Sequence, residues 1–235
     1  MSNGKKTSPW MYVGIGCGLA LLILVVAVVG VGFVGYRYAR QVGEELKDPV
    51  AREAKVKTVL GADTIPSGYH PLLGLSIPFV MEMAILSDRE GLESGGRPFD
   101  HRGFIYMNMR GATKQQNELR DFFEGRTTES SMLKQQSIRV RAGDIIGRGE
   151  ISDKGRRILY VAERGGVEMR NVETEGVTTL LLIECPGDTR ARLGIWFGPD
   201  PDPTTPVKTA NFKGSPADLS EIRSFVSNFD FCSKQ

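Results

Sequence analysis

The feature that most constrains this chain is an apolar stretch near the N-terminus, from Met11 to Val34, that contains no charged residue. A helix needs about 20 apolar residues to cross a bilayer, and this stretch supplies about 24. We therefore predict a transmembrane helix over residues 11–35 that follows an N-terminal tail of residues 1–10. Aromatic and basic residues flank the stretch, as expected for the headgroup regions: Trp10, Tyr12, Lys5 and Lys6 on one side, and Tyr36, Tyr38, Arg37 and Arg40 on the other.

A cleaved signal peptide is the competing interpretation of this stretch. Signal peptides have an apolar core of ~7–15 residues and a small-residue cleavage site, whereas residues 35–40 carry two tyrosines and two arginines. We therefore predict an uncleaved signal anchor that contacts the lipid bilayer. Gly14 and Gly18 form a pair of small residues four apart, which permits weak self-association of the anchor, although glycine is also common in membrane helices generally.

The basic residues beside the anchor do not by themselves fix its orientation, because the C-terminal flank carries at least as many as the N-terminal tail. Two other features favour an exported domain. The dibasic tail, Lys5 and Lys6, resembles the start of a signal anchor, and Cys185 and Cys232 are a pair that an oxidising compartment can join. We therefore expect a cytoplasmic N-terminus and an exported domain.

The chain beyond the anchor divides into a predicted helical stalk, residues 36–62, and a single domain, residues 63–235. Asp48 and Pro49 provide an N-cap and a first-turn proline for a helix that ends before Gly61. The mixed charge of this stretch suggests a spacer outside the core. Residues 49–235 carry 25 basic and 25 acidic side chains, so we expect no general electrostatic attraction to nucleic acid.

Short β-rich segments separated by turn residues predict a mainly antiparallel sheet in the domain. The segment at residues 178–185 is almost wholly apolar in its middle, which is typical of a central strand covered on both faces. The predicted strands are residues 72–77, 79–86, 103–110, 137–148, 157–163, 178–185 and 192–197.

Two helices are predicted to cover the sheet, which gives an α+β fold class for the domain behind its N-terminal transmembrane helix. One spans residues 114–124 and places Leu119, Phe122 and Phe123 on a single face. The other is an amphipathic C-terminal helix with Ser215 as its N-cap. Its apolar face is predicted to contain Leu219, Ile222, Phe225, Val226 and Phe229.

This order of elements resembles the PsbP-like α/β/α sandwich domains over much of residues 65–230. The resemblance rests on a turn-rich entry at residues 65–69, early strands, a helix, a strand meander and a terminal helix that contains Ser224-Phe225-Val226. It implies an exported or membrane-associated accessory or binding role. No functional residue of the superfamily can be carried onto this chain.

Sequence motifs for phosphate binding, dinucleotide binding, serine hydrolysis and zinc proteolysis are all missing from the chain. An enzyme would have to assemble its site from scattered residues around His101, where Asp100-His101-Arg102 is the best acid–base candidate. Adjacent residues of an extended segment point in opposite directions, however, so a loop before a strand is the better interpretation. We predict no catalytic residue and no cofactor, and favour a binding or interaction module for a protein or small molecule.

Four methionines give the most specific alternative, a soft-metal site. Met81 and Met83 would share one face of a strand, as would Met107 and Met109, and thioethers are soft ligands for Cu(I). If the two strands pair, the four sulfurs could converge. Methionine is also a flexible filler of apolar cores, which is its more usual role.

Cys185 and Cys232 are the only cysteines outside the anchor. A disulfide between them would tie the end of the central strand to the chain after the C-terminal helix, provided that their Cα atoms lie within ~7 Å. Two unpaired buried thiols are an equal alternative.

Overall fold

The computed structural model describes residues 48–77, 80–90, 98–110, 113–128, 130–135, 144–165, 168–169, 172–173 and 176–233. The predicted tail, the predicted transmembrane helix and the first part of the stalk, residues 1–47, lie outside the described residues. Within the described residues, no helix has both the length and the apolarity needed to cross a membrane.

A seven-stranded antiparallel sheet forms the centre of the domain, which confirms the predicted α+β class. In chain order the strands are β1 (His70–Ile77), β2 (Met81–Ser87), β3 (Gly103–Arg110), β4 (Ile145–Asp153), β5 (Arg156–Arg164), β6 (Glu168–Met169), β7 (Val172–Glu173), β8 (Val177–Glu184) and β9 (Arg190–Gly198). The large sheet has the order β1-β2-β3-β9-β8-β5-β4, and β6 pairs with β7 in a separate ribbon. The hairpin of β8 and β9 therefore lies between the β1–β3 meander and the β4–β5 hairpin.

Helices cover both faces of the sheet, as predicted. They are α1 (Pro49–Leu60), α2 (Thr113–Phe123), α3 (Ser131–Gln135) and α4 (Leu219–Val226). One face packs against α2 and α3, and the other packs against α1, α4 and the chain that follows α4. Every residue from Val177 to Ile183 is buried, which agrees with the expectation of a central strand covered on both faces.

Helix α1 begins and ends as the sequence predicts. The Asp48 carboxylate caps it by accepting the Val50 N–H at 2.9 Å, and Gly61 ends it in the left-handed conformation, which glycine adopts without strain. Glu53 and Lys57 form an ion pair at 2.7 Å along its exposed side.

The role predicted for this helix is wrong, because it belongs to the core. Val56, Val59 and Leu60 are buried among residues of β2, β3 and α4. Gly74 of β1 allows the close approach, since a Cβ atom there would lie 2.9 Å from the Val56 backbone nitrogen. The compact unit consequently starts at Asp48 rather than near residue 63.

Strand β4 also differs from its predicted position. It begins at Ile145 and continues to Asp153, while residues 137–143 of the predicted strand lie outside the described residues. Gly149 has a packing reason to be in this strand, because a Cβ atom there would lie 2.7 Å from the Tyr160 ring on the neighbouring strand. Gly149 therefore leaves room for an aromatic side chain and does not mark a turn.

Helix α4 starts three residues later than its predicted N-cap allows. Asp218 is the N-cap, with its carboxylate accepting the Ser220 N–H at 2.9 Å. The Ser215 hydroxyl is instead part of a turn, in which it donates to the Phe212 carbonyl at 2.7 Å. Phe229 is buried as expected but lies beyond the helix end, and Leu219 is 38% exposed rather than on the core face.

Candidate functional site

The pairing of β2 with β3 brings the four methionines of the predicted soft-metal site together. Met81 is directly opposite Met109, and Met83 is directly opposite Met107. Residues two apart on a strand point to the same face, so all four side chains lie on one face of the sheet. Cross-strand partners of this kind have Cβ atoms roughly 4.5–5.5 Å apart, which is close enough for long side chains to touch.

The four side chains lie at the border of the apolar core rather than inside it. Met107 is only 4% exposed and belongs to the core cluster under α2. Met83 and Met109 are half-buried and pack against that cluster, and Met81 is half-buried as well. Three of the four methionine residues therefore remain partly exposed to solvent.

Apolar residues of β1 extend this surface. Leu75 is opposite Met83 and Ile77 is opposite Met81, and both are half-buried. We call the surface formed by these six side chains the methionine face: Leu75, Ile77, Met81, Met83, Met107 and Met109. None of the six is charged, so the methionine face offers sulfur and hydrocarbon but no acid or base.

The methionine face lies near one end of the β1–β2 hairpin. The turn at that end has the Val80 N–H bonded to the Ile77 carbonyl at 3.1 Å, and the Val80 side chain is 59% exposed. At the other end, Arg52 of α1 donates to the Pro71 carbonyl at 2.9 Å. With a rise of about 3.3 Å per residue, the two ends of β1 are roughly 20 Å apart.

Elements on the same side of the sheet cover its other half. Helix α2 packs over β5 and β8, where Leu119, Phe122 and Phe123 enter the core cluster. The strand order places β5 and β8 beyond β9, away from β1 and β2. The contacts of α2 with the sheet are therefore centred on β5 and β8 rather than on β1 and β2.

The segment around His101 is a loop fixed by Asp88. The Asp88 carboxylate accepts the backbone N–H groups of Asp100, His101 and Arg102 at 2.9, 2.8 and 3.1 Å. Partial burial raises the pKa of Asp88, but these three hydrogen bonds outweigh that effect and the pKa is lowered. His101 is exposed, and Asp100 pairs with Arg89 at 3.5 Å. The loop geometry thus accounts for these residues without an acid–base role.

A pocket at the ends of β5 and β8 is lined by Arg120, Arg157 and Glu184, and all three residues form ion pairs. The Arg157 guanidinium contacts Glu150 at 2.8 Å, Glu124 at 3.0 Å and Glu184 at 3.2 Å. The hydrogen bond to Glu150 is the main reason that the pKa of Arg157 is raised, although its partial burial opposes the shift. Glu184 also pairs with Arg120 at 2.7 Å. Because Arg120 and Arg157 both have carboxylate partners, the pocket does not present them as free cations to an anionic ligand.

A second pocket lies between β4 and α4 and is lined by polar residues such as Ser224 and Ser227. Neither pocket is lined by His70 or His101. Across the described part of the chain, no group of three or more His, Cys, Asp and Glu side chains could hold a metal ion.

Cys185 and Cys232 form a disulfide, with their Cα atoms 5.6 Å apart. The bridge holds the C-terminal segment over the face of the sheet opposite the methionines. In that segment Phe231 stacks on Tyr106 with ring centroids 5.0 Å apart, and the buried Arg156 guanidinium lies 5.0 Å over the Phe231 ring. The cysteines that the sequence singled out are therefore structural.

The β1 part of the methionine face was not predicted, although the sequence carries a signal for it. Leu73, Leu75 and Ile77 alternate with Gly74 and Ser76, which is the period-two pattern of a strand with one apolar face. This pattern does not show that the apolar face of β1 adjoins the methionines of β2, because that depends on how β1 pairs with β2.

Comparisons with known proteins returned no match, either to a family model, to a curated protein or to a solved structure. The resemblance to PsbP-like domains accordingly stays a prediction.

Proposed function

We propose that this chain is a single-pass membrane protein whose exported, non-catalytic domain binds a ligand at the methionine face. The observation that carries the proposal is the β2–β3 register, which aligns Met81 with Met109 and Met83 with Met107. A core needs no such alignment, whereas a binding surface gains from flexible, polarisable side chains that adapt to a ligand. The partial exposure of three of the four supports this role.

Export of the domain is supported by the Cys185–Cys232 bridge, because disulfides persist in oxidising compartments and are rare in the cytosol. The membrane anchor is supported by the uncharged stretch from Met11 to Val34. A domain on the outer side of the membrane would then be available to ligands that do not enter the cytoplasm.

An enzyme built around His101 receives less support from the described residues. His101 is exposed, and its loop is held by backbone hydrogen bonds to Asp88 rather than by contacts that would orient the imidazole. General acid–base catalysis needs such a positioned group.

Oxidation by hydrogen peroxide tests the binding surface in the full-length protein. Peptide mapping should find methionine sulfoxide at Met81, Met83 and Met109 before Met107, because Met107 is 4% exposed and the others are half-buried. Equal resistance of all four side chains would show that the methionine face is closed, and the proposed binding site would then be wrong.

Topology is tested separately in intact cells or spheroplasts. A variant with Cys17→Ser leaves Cys185 and Cys232 as the only cysteines. The number of thiols that react with an alkylating reagent before and after reduction then reports on this pair alone. We expect external protease to cut the domain, and the pair to resist alkylation until it is reduced. A protected domain with two reactive thiols would contradict export.

A further inference from the structure

We infer that the methionine face binds one Cu(I) ion through the thioether sulfurs of Met81, Met83, Met107 and Met109. The inference rests on the proposed function, since it assigns a ligand class to the proposed binding surface. It goes further by naming the donor atoms, the charge of the ion and its preference for soft ligands.

The register gives the four sulfurs enough reach. Cβ atoms of residues two apart on a strand are about 6.8 Å apart, and those of cross-strand partners are roughly 5 Å apart, so the centre of the rectangle is ~4.2 Å from each corner. A methionine sulfur lies two single bonds, ~2.7 Å, beyond Cβ, on a side chain with three rotatable bonds. With a metal–sulfur bond of ~2.3 Å, each side chain reaches ~5 Å, so all four sulfurs can contact one ion above the centre.

The chemistry of the methionine face selects a soft monovalent cation. Thioethers are neutral, polarisable donors that suit Cu(I) and have little affinity for Mg²⁺ or Ca²⁺. None of the six side chains can balance a second positive charge, and burying an uncompensated charge is costly. The partial exposure of Met81, Met83 and Met109 leaves the ion a route of entry.

The disulfide strengthens the case for methionine as the donor. Thiolates bind Cu(I) strongly, but Cys185 and Cys232 are joined to each other, so neither offers a thiolate. In an oxidising compartment thioethers keep their donor character where paired thiols lose theirs. Among the described residues, the methionine face is where soft sulfur donors are concentrated.

Ag(I) is a suitable probe because it resembles Cu(I) as a soft monovalent ion and undergoes no redox change. Full-length protein in detergent should bind one equivalent, and X-ray absorption should show sulfur as its nearest neighbours. Cu(I), added without oxygen against a competing chelator, should give the same stoichiometry. Zn²⁺ should not compete.

Leucine variants separate metal binding from packing, because leucine has nearly the volume of methionine and such exchanges cost little stability. We expect M81L/M109L and M83L/M107L each to weaken Ag(I) binding at least tenfold, and the fourfold leucine variant to abolish it. M169L changes a methionine in the separate β6–β7 ribbon and should bind as the wild type does. An intact Cys185–Cys232 bridge and unchanged circular dichroism would confirm that each variant is folded.

Wild-type affinity in the fourfold variant, or no binding by the wild type, would overturn the inference. If the wild type fails to bind Ag(I) but its methionines oxidise in the expected order, the metal assignment is wrong and the proposed binding surface stands. If the methionines also resist oxidation, both proposals fail.

Discussion

Removal of the Cys185–Cys232 bridge should lower the free energy of unfolding by up to about 4 kcal/mol. The cysteines are 47 residues apart, and in the chain-entropy relation for cross-links a loop of that size corresponds to roughly 13–14 cal/mol/K, or about 4 kcal/mol at 25 °C. Measured effects of native bridges are commonly ~2–5 kcal/mol, because the unfolded chain retains some structure.

Other contacts should keep the C-terminal segment in place once the bridge is gone. Arg156 donates to the Val226 carbonyl at 3.0 Å, and the Asp230 N–H donates to the Gly61 carbonyl at 2.9 Å. Phe229 and Phe231 are both buried. We therefore expect a less stable but still folded domain in the C185A/C232A variant.

Urea unfolding of the full-length protein, followed by Trp196 fluorescence, measures the change. Trp196 stacks on Phe225 of α4 with ring centroids 4.4 Å apart, so its emission reports the packing of that helix, and Trp10→Phe removes the second tryptophan. Reduced wild-type protein is the matched control, since it loses the cross-link but keeps both sulfurs. A change below about 1 kcal/mol in both samples would refute the reasoning that the bridge constrains the unfolded chain.

Two further perturbations test the packing and capping described above. Gly74→Val should destabilise the domain by roughly 1–3 kcal/mol in urea unfolding, because the valine side chain would collide with the Val56 backbone. Gly147→Ala is the control and should change the free energy of unfolding little, because no atom lies within 4 Å of the new Cβ. Asp218→Ala should cost about 0.5–2 kcal/mol by removing the cap of α4, while Asp218→Asn should retain it. The pKa of Asp218 is lowered in the folded protein, mainly by the hydrogen bond from the Gly214 N–H. The ionised Asp218 carboxylate therefore stabilises the fold above pH ~4, and this stabilisation is lost as the pH falls through the folded pKa. Urea unfolding measured at a series of acidic pH values should show this loss of stability in the wild type and not in Asp218→Asn.

Local patterns in the sequence were sufficient for most of the sheet. Strand β3 was predicted with its observed bounds, residues 103–110, because a β-rich run stands between turn residues. Strand β8 was predicted to within one residue at each end, since its continuous apolar run can only be buried on both faces. The cap of α1 was also predicted, because Asp48-Pro49 is a strong local signal.

The failures occurred where a distant residue decides the outcome. Helix α1 looks like a spacer in the sequence because it has only three buried residues, Val56, Val59 and Leu60. Its burial depends on Gly74 of β1, which has no side chain to keep the helix away from the sheet. Strand β4 contains a glycine that makes room for Tyr160. The methionine pairs were recognised from their spacing, but the contribution of Leu75 and Ile77 depends on the β1–β2 register.

Among the described side chains, the cysteine sulfurs and the methionine face lie on opposite faces of the sheet, and this has a measurable consequence. Cys185 packs with Phe104 and Tyr106 under α1 and α4, whereas Met83, Met107 and Met109 pack with the cluster under α2. Sites that share no contacts act additively. We therefore expect the C185A/C232A variant to bind Ag(I) with the affinity of the wild type, although it unfolds at lower urea.

A double-mutant cycle between the cysteine pair and M83L/M107L measures this independence. Its coupling free energy should be within about 0.5 kcal/mol of zero for unfolding, because the sheet separates the two clusters. Loss of Ag(I) binding on removal of the bridge would mean that the cysteines supply metal ligands after all, or that the C-terminal segment controls the β2–β3 register. The fourfold leucine variant keeps both cysteines and separates these explanations. Ag(I) binding by this variant would identify the cysteines as ligands, whereas its loss would leave control of the register by the C-terminal segment.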